Sequence, residues 1–503
     1  MSNIRRQSII SSAVVYVGFA LGLLNTYLFT HENGPFTTSQ YGLAQTFIAI
    51  ANVMFSFATL GMQSYIYKFY PYYNDNLPPK KNDMITWALM ICILGFLFVS
   101  IAGIFLKDFV VQKYVTNAPD IITYYYWLFP FGLGLTIYSI LEAYAWQLKK
   151  SVLTNFLREV GFRILTSILI VLFFVGIVKR FDNFIRFYAL TYLLIAAILF
   201  GYLFFTNRIH ITFNLSRVTK KFYKKILTLA AFVWSGGLVY NIANVFDTLV
   251  IAAVMPNGLV FAGIYSLAQN IASLIQAPQR GIISASIAPL SKAWKDKDYQ
   301  KIQKVYERSS INQLIFSIGM FILIYINFTD GVLTFSMKET YIQALPIFLF
   351  IGLMRILDMG TGLNSQIIGT SLFWRFEFFT GMILLAMALP LNYLLTKSLG
   401  AIGPAISNLI AFTVYNSIRC AFLYRKFGMQ PFSWKSGQAV ILGIVCYLIC
   451  HFLFSDYRGL TWILIRSISF CLLYGGGIFL LRLSPDLMPV LGTIKKKVRR
   501  RGR

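Results

Sequence analysis

Apolar stretches of about twenty residues recur along the whole chain, and the connections between them alternate in charge. A helix needs about 20 apolar residues to cross the hydrocarbon core of a bilayer. Most of the 45 Lys and Arg residues fall at the two termini and in every second connection. Because cytoplasmic loops carry such an excess of positive charge, the alternation predicts a polytopic membrane protein with both termini in the cytoplasm.

Fourteen stretches fit this description, and twelve is the main competing count. We therefore predict an all-α transmembrane protein of about fourteen helices, in two six-helix bundles plus two C-terminal helices. Residues 31–40 and 329–341 are expected outside, and loop 279–308 inside with a short amphipathic helix. The predicted spans are 9–30, 41–63, 84–106, 121–146, 152–177, 184–205, 226–254, 258–278, 309–328, 342–369, 376–396, 401–423, 436–454 and 459–482.

The composition agrees with a membrane protein, since 57% of residues are hydrophobic and 13% charged. The net charge of +27 raises the question of nucleic-acid binding. However, the basic runs all abut predicted spans on one side, where they orient the protein and contact anionic lipid head groups. We expect membrane lipids and no nucleic acid as partners. The basic runs are 220–225, 292–304 and 495–503.

Catalytic and metal-binding motifs are absent from the sequence. The three histidines are far apart, every outer loop is short, and no Walker-type phosphate loop or nucleophile–base pair is present. The cysteines lie inside predicted spans, where they behave as small apolar residues. We predict no enzymatic activity, no cofactor and no metal. The cysteines are Cys92, Cys420, Cys446, Cys450 and Cys471.

Similar segments recur six helices apart. Residues 41–45 (YGLAQ) open the second span, and 262–269 (AGIYSLAQ) open the eighth. Chance similarity of apolar sequence is the alternative explanation. Two parallel repeats usually place a substrate path between them. The predicted domains are 1–205, an N-terminal six-helix bundle; 206–225, a cytoplasmic linker; 226–423, a C-terminal six-helix bundle; and 424–503, two helices and a basic tail.

Several motifs resemble those of polysaccharide exporters. Residues 244–251 (NVFDTLVI) followed by 262–268 (AGIYSLA) resemble one exporter motif, and 391–395 (LNYLL) with 399–406 (LGAIGPAI) resemble another, although Pro404 replaces a common Ala. Leu60-Gly61-Met62-Gln63, and Glu142-Ala143 before Lys149-Lys150, fit the same family. Over essentially its whole length the chain resembles the multidrug/oligosaccharidyl-lipid/polysaccharide exporter superfamily, in its Wzx-like O-antigen flippase branch.

The resemblance implies a V-shaped carrier of two helical bundles around a central cavity. Its cargo would be an undecaprenyl-diphosphate-linked oligosaccharide, flipped across a bacterial plasma membrane by alternating access for lipopolysaccharide or other surface polysaccharide, with polymerase machinery as a further partner. One alternative is an ion-coupled multidrug or small-solute antiporter of the same superfamily, which two extra C-terminal helices disfavour. Another is a membrane-embedded polymerase or ligase, which the short outer loops disfavour.

Ionisable residues inside spans suggest where cargo would bind. Such groups cost several kcal/mol unless they face a cavity or a partner. Arg355 lies midway along its span and begins a polar stripe that continues through Asp358 and Ser365. Its planar fork suits a diphosphate. The alternative is that Arg355 pairs with Asp358 or Asp247.

Further polar residues complete the predicted site. We expect Arg355, Asp358, Asp247, Gln276 and Arg280 to line one polar cavity. The alternative to a role in the cavity is a structural one. Amides would join helices by hydrogen bonds, and the charges of Arg419, Glu142 and Arg163 would snorkel to the membrane surface. The predicted substrate-binding residues are Arg355, Arg280, Gln276, Gln269, Asn244 and Arg419, and the candidates for coupling to H⁺ or Na⁺ are Asp247 and Asp358.

Overall fold

The chain folds as helices throughout its described part, which confirms the predicted polytopic all-α class. Its contacts separate into two compact units, with the boundary between Gly263 and Ile264. The basic tail at 495–503 lies outside the described residues. The computed structural model describes residues 2–484, except for the side chains of residues 2–13, 15, 16, 236, 239, 240, 244, 280, 281, 284, 285, 287, 288, 291 and 374.

The first unit is built around one central helix, α7. The ring of Phe131 in α7 stacks on the ring of Tyr188 in α10, with the two ring centroids 5.3 Å apart. Gly134 lets the two backbones approach, because a Cβ there would lie 2.3 Å from the Leu193 nitrogen. Its helices are α1 (Ser2–Thr30), α2 (Thr38–Ala58), α3 (Met62–Asn76), α4 (Met84–Phe105), α5 (Lys107–Tyr114), α6 (Pro119–Thr123), α7 (Leu128–Gln147), α8 (Ser151–Asn155), α9 (Phe162–Phe174), α10 (Phe181–Phe205), α11 (Arg217–Val254) and the start of α12 (Gly258–Ser273).

The second predicted span ends earlier than the sequence suggested. A capping box between Thr37 and Gln40 starts α2. The helix stops at Ala58 rather than at residue 63, because Leu60 and Gly61 both adopt positive φ angles of 44° and 74°. The turn redirects the chain into α3, an additional helix that the hydropathy pattern did not separate from the span.

The second unit is organised around α14, which packs against α15, α19 and α20. Tyr474 of α20 donates a hydrogen bond to the Ile315 carbonyl at 3.0 Å. Gly443 of α19 brings that helix onto Ile318, since a Cβ there would lie 2.5 Å from Ile318 Cγ2. Its helices are the rest of α12, then α13 (Ala277–Lys295), α14 (Tyr299–Thr334), α15 (Ala344–Gly360), α16 (Asn364–Gly369), α17 (Trp374–Leu399), α18 (Gly403–Phe427), α19 (Trp434–Phe454) and α20 (Leu460–Leu480).

All fourteen predicted spans are largely helical, but their lengths differ from expectation. Within residues 2–484, nine segments are long and apolar enough to cross a membrane, one of which, Arg375–Phe427, contains both α17 and α18. The prediction of one short helix in loop 279–308 is wrong, because α13 and the 36-residue α14 fill it except for residues 296–298. The predicted span 342–369 is two helices rather than one.

Candidate functional site

A break in the predicted tenth span organises the polar residues of the second unit. The helix α15 ends at Gly360, and α16 begins at Asn364. Gly362 has a φ of 66°, and a Cβ there would lie 2.9 Å from Ser309 Oγ, so a side chain is excluded on two grounds. Interrupted helices expose backbone groups that can bind a polar ligand within a membrane protein. The stripe predicted from Arg355 through Ser365 is therefore not one continuous helical face.

Side-chain amides from other helices converge on this break. Asn416 of α18 donates to Asp358 Oδ1 at 3.2 Å, and its own oxygen accepts from Asn364 at 2.8 Å and from Thr361 at 3.1 Å. Gln279 of α13 donates to Asp358 Oδ2 at 3.4 Å. Three segments of the chain thus meet at one carboxylate. Arg355 lies one turn before Asp358 on α15 and is partly buried.

An ion pair lies near this amide network. Arg419 is 2% exposed and pairs with Glu377 of α17, while its Nε donates to Thr380 at 3.2 Å. Its guanidinium covers the ring of Tyr415 at 3.6 Å. Arg419 therefore does not snorkel to the surface. Glu377 also accepts from Ser365 of α16 at 2.6 Å, which links the pair to the broken span.

The remaining predicted site residues are more scattered. Gln269 and Gln276 are partly buried, but α12 ends at Ser273, so they do not share a continuous helical face. Asp247 is 4% exposed and belongs to α11 in the first unit, whereas the repeat had assigned it to the C-terminal bundle. The side chains of Asn244 and Arg280 lie outside the described residues.

The first unit contains a second charged cluster, at the π-helical turn Phe156–Gly161 between α8 and α9. Glu142, 3% exposed, accepts from Arg158 at 2.9 Å. Arg163 donates to Glu159 at 2.6 Å. Glu142 therefore does not snorkel, and its partner comes from the turn. π-Helical turns are rare and are often found at functional sites.

Helix α1 fits closely against this cluster. A Cβ at Gly18 would lie 2.8 Å from Arg163 Nη1, and a Cβ at Gly22 would lie 2.9 Å from its Nε. Asn25 donates to the Arg163 carbonyl at 2.9 Å and accepts from Ser167 at 2.5 Å. The constraint is stricter at Gly18, where an added Cβ would also lie 2.8 Å from the Glu159 carbonyl oxygen, whereas at Gly22 its nearest neighbours all belong to the Arg163 side chain.

Sequence analysis did not single out Arg158, Glu159 or Glu377. The first two fall inside the predicted span 152–177, so the cost of a charge in a span was a usable signal. Glu377 lies one residue inside its predicted span, where a charged group can reach the membrane surface and therefore gives no signal of a buried site. Its pairing with Arg419 depends on how α17 packs against α18.

Helices α2 and α12 cross in the first unit with almost no separation. A Cβ at Gly42 would lie 1.7 Å from the Leu259 carbonyl oxygen, and a Cβ at Gly263 would lie 2.9 Å from the Thr38 oxygen. Nearby, Asn117 donates to the Ala253 carbonyl at 2.8 Å, beside the C-terminus of α11. The connections before α2, between α5 and α6, and between α11 and α12 thus lie close together. The charge pattern predicts all three on the outer side of the membrane.

Comparisons with known proteins agree with this architecture. No family model matches the sequence, and no curated protein matches it. Among solved structures, the chain is similar to a lipid II flippase MurJ in an inward closed conformation, with TM-score 0.73 and 15% identity over 95% of this chain and 100% of that one. It is also similar to an inward-facing multidrug resistance MATE family transporter of the MOP superfamily, with TM-score 0.61 and 14% identity over 83% and 99% of the two chains.

A further similarity is to a MATE structure in the bent conformation, with TM-score 0.52 and 14% identity over 88% and 96% of the two chains. At these identities the likeness concerns the fold. Together with the apolar helices, it identifies a multi-pass membrane protein. The chain has the polytopic helical fold of the MurJ and MATE transporters.

Proposed function

We propose that this protein is a flippase that moves a polyprenyl-diphosphate-linked oligosaccharide across the bacterial plasma membrane for surface polysaccharide or O-antigen synthesis. The observation that carries the proposal is the likeness to the lipid II flippase over 95% of the chain, against 83% for the inward-facing MATE transporter. The name of that protein gives lipid II as its cargo, and the sequence motifs of this chain resemble those of polysaccharide exporters.

The two C-terminal helices support the same proposal because they are integral to the second unit. Asn327 of α14 donates to Ser467 of α20 at 3.0 Å, and Arg466 of α20 donates to the Ile326 carbonyl of α14 at 2.9 Å. A carrier of twelve helices would lack this pair. A long lipid tail also needs more apolar surface than a small drug does.

In this mechanism, charge on the cargo is matched at the break between α15 and α16. An unpaired phosphate in a region of low dielectric would cost several kcal/mol, so a cation is required along the path. Arg355 supplies it on the turn before the break, and the amides around Asp358 offer hydrogen bonds to sugar hydroxyls. Asp358 or Asp247 would couple transport to H⁺ or Na⁺.

Alternating access then requires one side of the path to open while the other closes. The crossing of α2 and α12 at Gly42 and Gly263 would seal the outer side, because their backbones leave no space for a side chain. Cargo release requires this crossing to separate. No step needs a cofactor or a catalytic group.

The decisive experiment is lipid flipping in reconstituted vesicles. Purified protein is placed in liposomes that contain a fluorescent polyprenyl-diphosphate oligosaccharide, and a membrane-impermeant reductant quenches the outer leaflet. We expect more than half of the label to become accessible with protein and about half without it. In cells, deletion of the gene should stop surface polysaccharide while the lipid-linked precursor accumulates.

A multidrug antiporter is the second candidate, favoured by the likeness to MATE transporters. It predicts that deletion sensitises cells to cationic drugs while surface polysaccharide is unchanged. Quenching that stops at half of the label in vesicles, together with drug sensitivity in cells, would replace the flippase proposal with this one.

A further inference from the structure

A cavity of about 600 Å³ lies in the first unit, where α3 runs beside the N-terminal part of α11. Three lysines line it: Lys68 from α3, and Lys224 and Lys225 from α11. All three are exposed, and none of the described residues that line the cavity is acidic. The proposed transport mechanism makes no use of this region. Its charge selects for an anion.

One wall of the cavity is aromatic. Phe222 packs against Tyr72 with ring centroids 5.2 Å apart and against Phe69 at 5.7 Å. Tyr72 is 48% exposed, and Phe232, further along α11, is 57% exposed. Large exposed rings beside lysines are typical of the boundary between head groups and hydrocarbon in a bilayer. The cavity therefore joins a cationic side to an apolar side.

The cavity is held in shape by a buried hydrogen-bond network. Asp83, which is fully buried, accepts from the Ser216 nitrogen at 2.9 Å and from Thr219 Oγ1 at 2.7 Å. Tyr73 of α3 shares a hydrogen bond with Thr219 at 2.7 Å. This network fixes the first turn of α11 against α3, so the lysines on the next turn project from a rigid base. A preformed site binds more tightly than one that must be ordered.

Size and chemistry together indicate the ligand. A volume of about 600 Å³ is within the range of small-molecule sites and exceeds what a single inorganic anion fills. A phosphate needs the cations, and a glycerol with the first acyl carbons needs the rings. Basic residues next to a membrane are attracted to anionic lipids.

We propose that this cavity binds one anionic glycerophospholipid, such as phosphatidylglycerol. Its phosphate lies among Lys68, Lys224 and Lys225, and its glycerol lies against Phe222 and Tyr72. The charge pattern of the sequence places the bound lipid in the cytoplasmic leaflet. Because the bound lipid is a resident of the bilayer, the inference does not depend on which cargo the protein moves.

Two pairs of lysines on α11 provide a matched test. Lys224→Gln with Lys225→Gln removes two charges from the cavity, while Lys220→Gln with Lys221→Gln removes two charges one turn earlier on the same helix. The detergent-solubilised full-length protein is titrated with phosphatidylglycerol or phosphatidylcholine, and bound lipid is counted by native mass spectrometry. We expect the first pair to weaken one phosphatidylglycerol site about tenfold or more. The second pair should change it less than threefold.

A second variant tests the cavity without changing its charge. Thr228 lines the cavity on α11 and is exposed, so Thr228→Trp should fill the space and remove the same lipid with all lysines in place. The proposal would be overturned if both lysine pairs reduced phosphatidylglycerol binding equally, or if the Thr228→Trp protein bound the lipid fully. Either result would indicate a diffuse attraction of the lipid to the basic surface. Displacement by inorganic phosphate as effective as by the lipid would identify a free anion as the ligand. Stronger competition by a polyprenyl diphosphate would make the cavity a cargo site.

Discussion

Two charged clusters inside spans of the second unit are built in different ways. At the break between α15 and α16, Asp358 is bound by side-chain amides, Gln279 at 3.4 Å and Asn416 at 3.2 Å. Near the turn between α19 and α20, Arg466 donates to backbone carbonyls, those of Phe454 at 3.2 Å and Tyr457 at 2.8 Å. The amides around Asp358 can reorient by rotation of their side chains, whereas the carbonyls around Arg466 belong to the backbone at the end of a helix and cannot.

This difference separates a site that can exchange partners from one that cannot. Amide side chains on different helices can release a carboxylate and accept a ligand at little cost, because donors and acceptors are replaced one for one. A guanidinium that satisfies helix-terminal carbonyls holds two helices together, and its removal leaves them unpaired. Asp330, 3.6 Å from Arg466, also accepts from the Gly459 nitrogen at 3.0 Å and strengthens the second cluster. We therefore propose that the first cluster serves transport and that the second stabilises the fold.

The largest effect is expected at Arg355. We predict that Arg355→Ala abolishes export of surface polysaccharide in a strain lacking the native copy, while protein level and membrane insertion stay near normal. Arg355→Lys should restore only part of the export, because a point charge cannot reproduce the two-pronged donor. Surface polysaccharide is measured by immunoblot or by phage sensitivity.

The matched control for this variant is Arg425→Ala, which removes an exposed arginine near the end of α18. It should export normally. Full export by Arg355→Ala would discard the role assigned to this residue, although it would leave the flippase proposal standing.

The opposite pattern is expected at Arg466. Arg466→Ala leaves Asp330 buried without its ion-pair partner, and breaking a buried pair costs about 3–5 kcal/mol. We predict less protein in the membrane and a lower unfolding temperature, with export per folded molecule nearly unchanged. Thermal unfolding is followed by size-exclusion chromatography of the detergent-solubilised protein. A normal unfolding temperature with lost export would reverse the assignment of the two clusters.

Arg355 and Arg466 are both arginines inside predicted spans, and the sequence singled out Arg355 because it lies midway along its span. The fold class was predictable because hydropathy and loop charge reflect the solvent that each segment meets. The break at Thr361 was not predictable. A glycine such as Gly362 inside an apolar run is equally compatible with a continuous helix that packs closely against a neighbouring helix. The partner of Arg419 was missed for a related reason: Glu377 is 42 residues away, and only the packing of α17 on α18 brings the two together.

The crossing of α2 and α12 should tolerate no added side chain. The Cβ of an alanine at position 42, in place of Gly42, would lie 1.7 Å from the Leu259 carbonyl oxygen, so the two backbones must shift. Overpacking of this kind costs about 1–3 kcal/mol. We predict that Gly42→Ala pushes the helices apart and reduces export several-fold at normal protein level.

Gly237→Ala in α11 is the control, because none of the residues that the structure describes lies within 4 Å of its added Cβ. Alanine favours a helix by about 1 kcal/mol over glycine, so this variant should be neutral or slightly more stable. Unchanged export by Gly42→Ala at normal protein level would show that the crossing does not form the outer seal.

The smallest effect is expected at Asp358, where a substitution preserves shape. In Asp358→Asn, the new amide still offers one acceptor oxygen, so only one of the hydrogen bonds from Gln279 and Asn416 must be lost. We expect normal protein level and a modest export defect that varies with external sodium or pH, since the carboxylate that would bind Na⁺ or H⁺ is gone. Asp247→Asn is made in parallel, because Asp247 is the other candidate for ion coupling and is buried. Export is measured at several sodium concentrations and pH values in each strain. A defect that is constant across all conditions in both variants would remove the coupling role from both carboxylates and leave Asp358 as a hydrogen-bond acceptor that holds the broken helix in place.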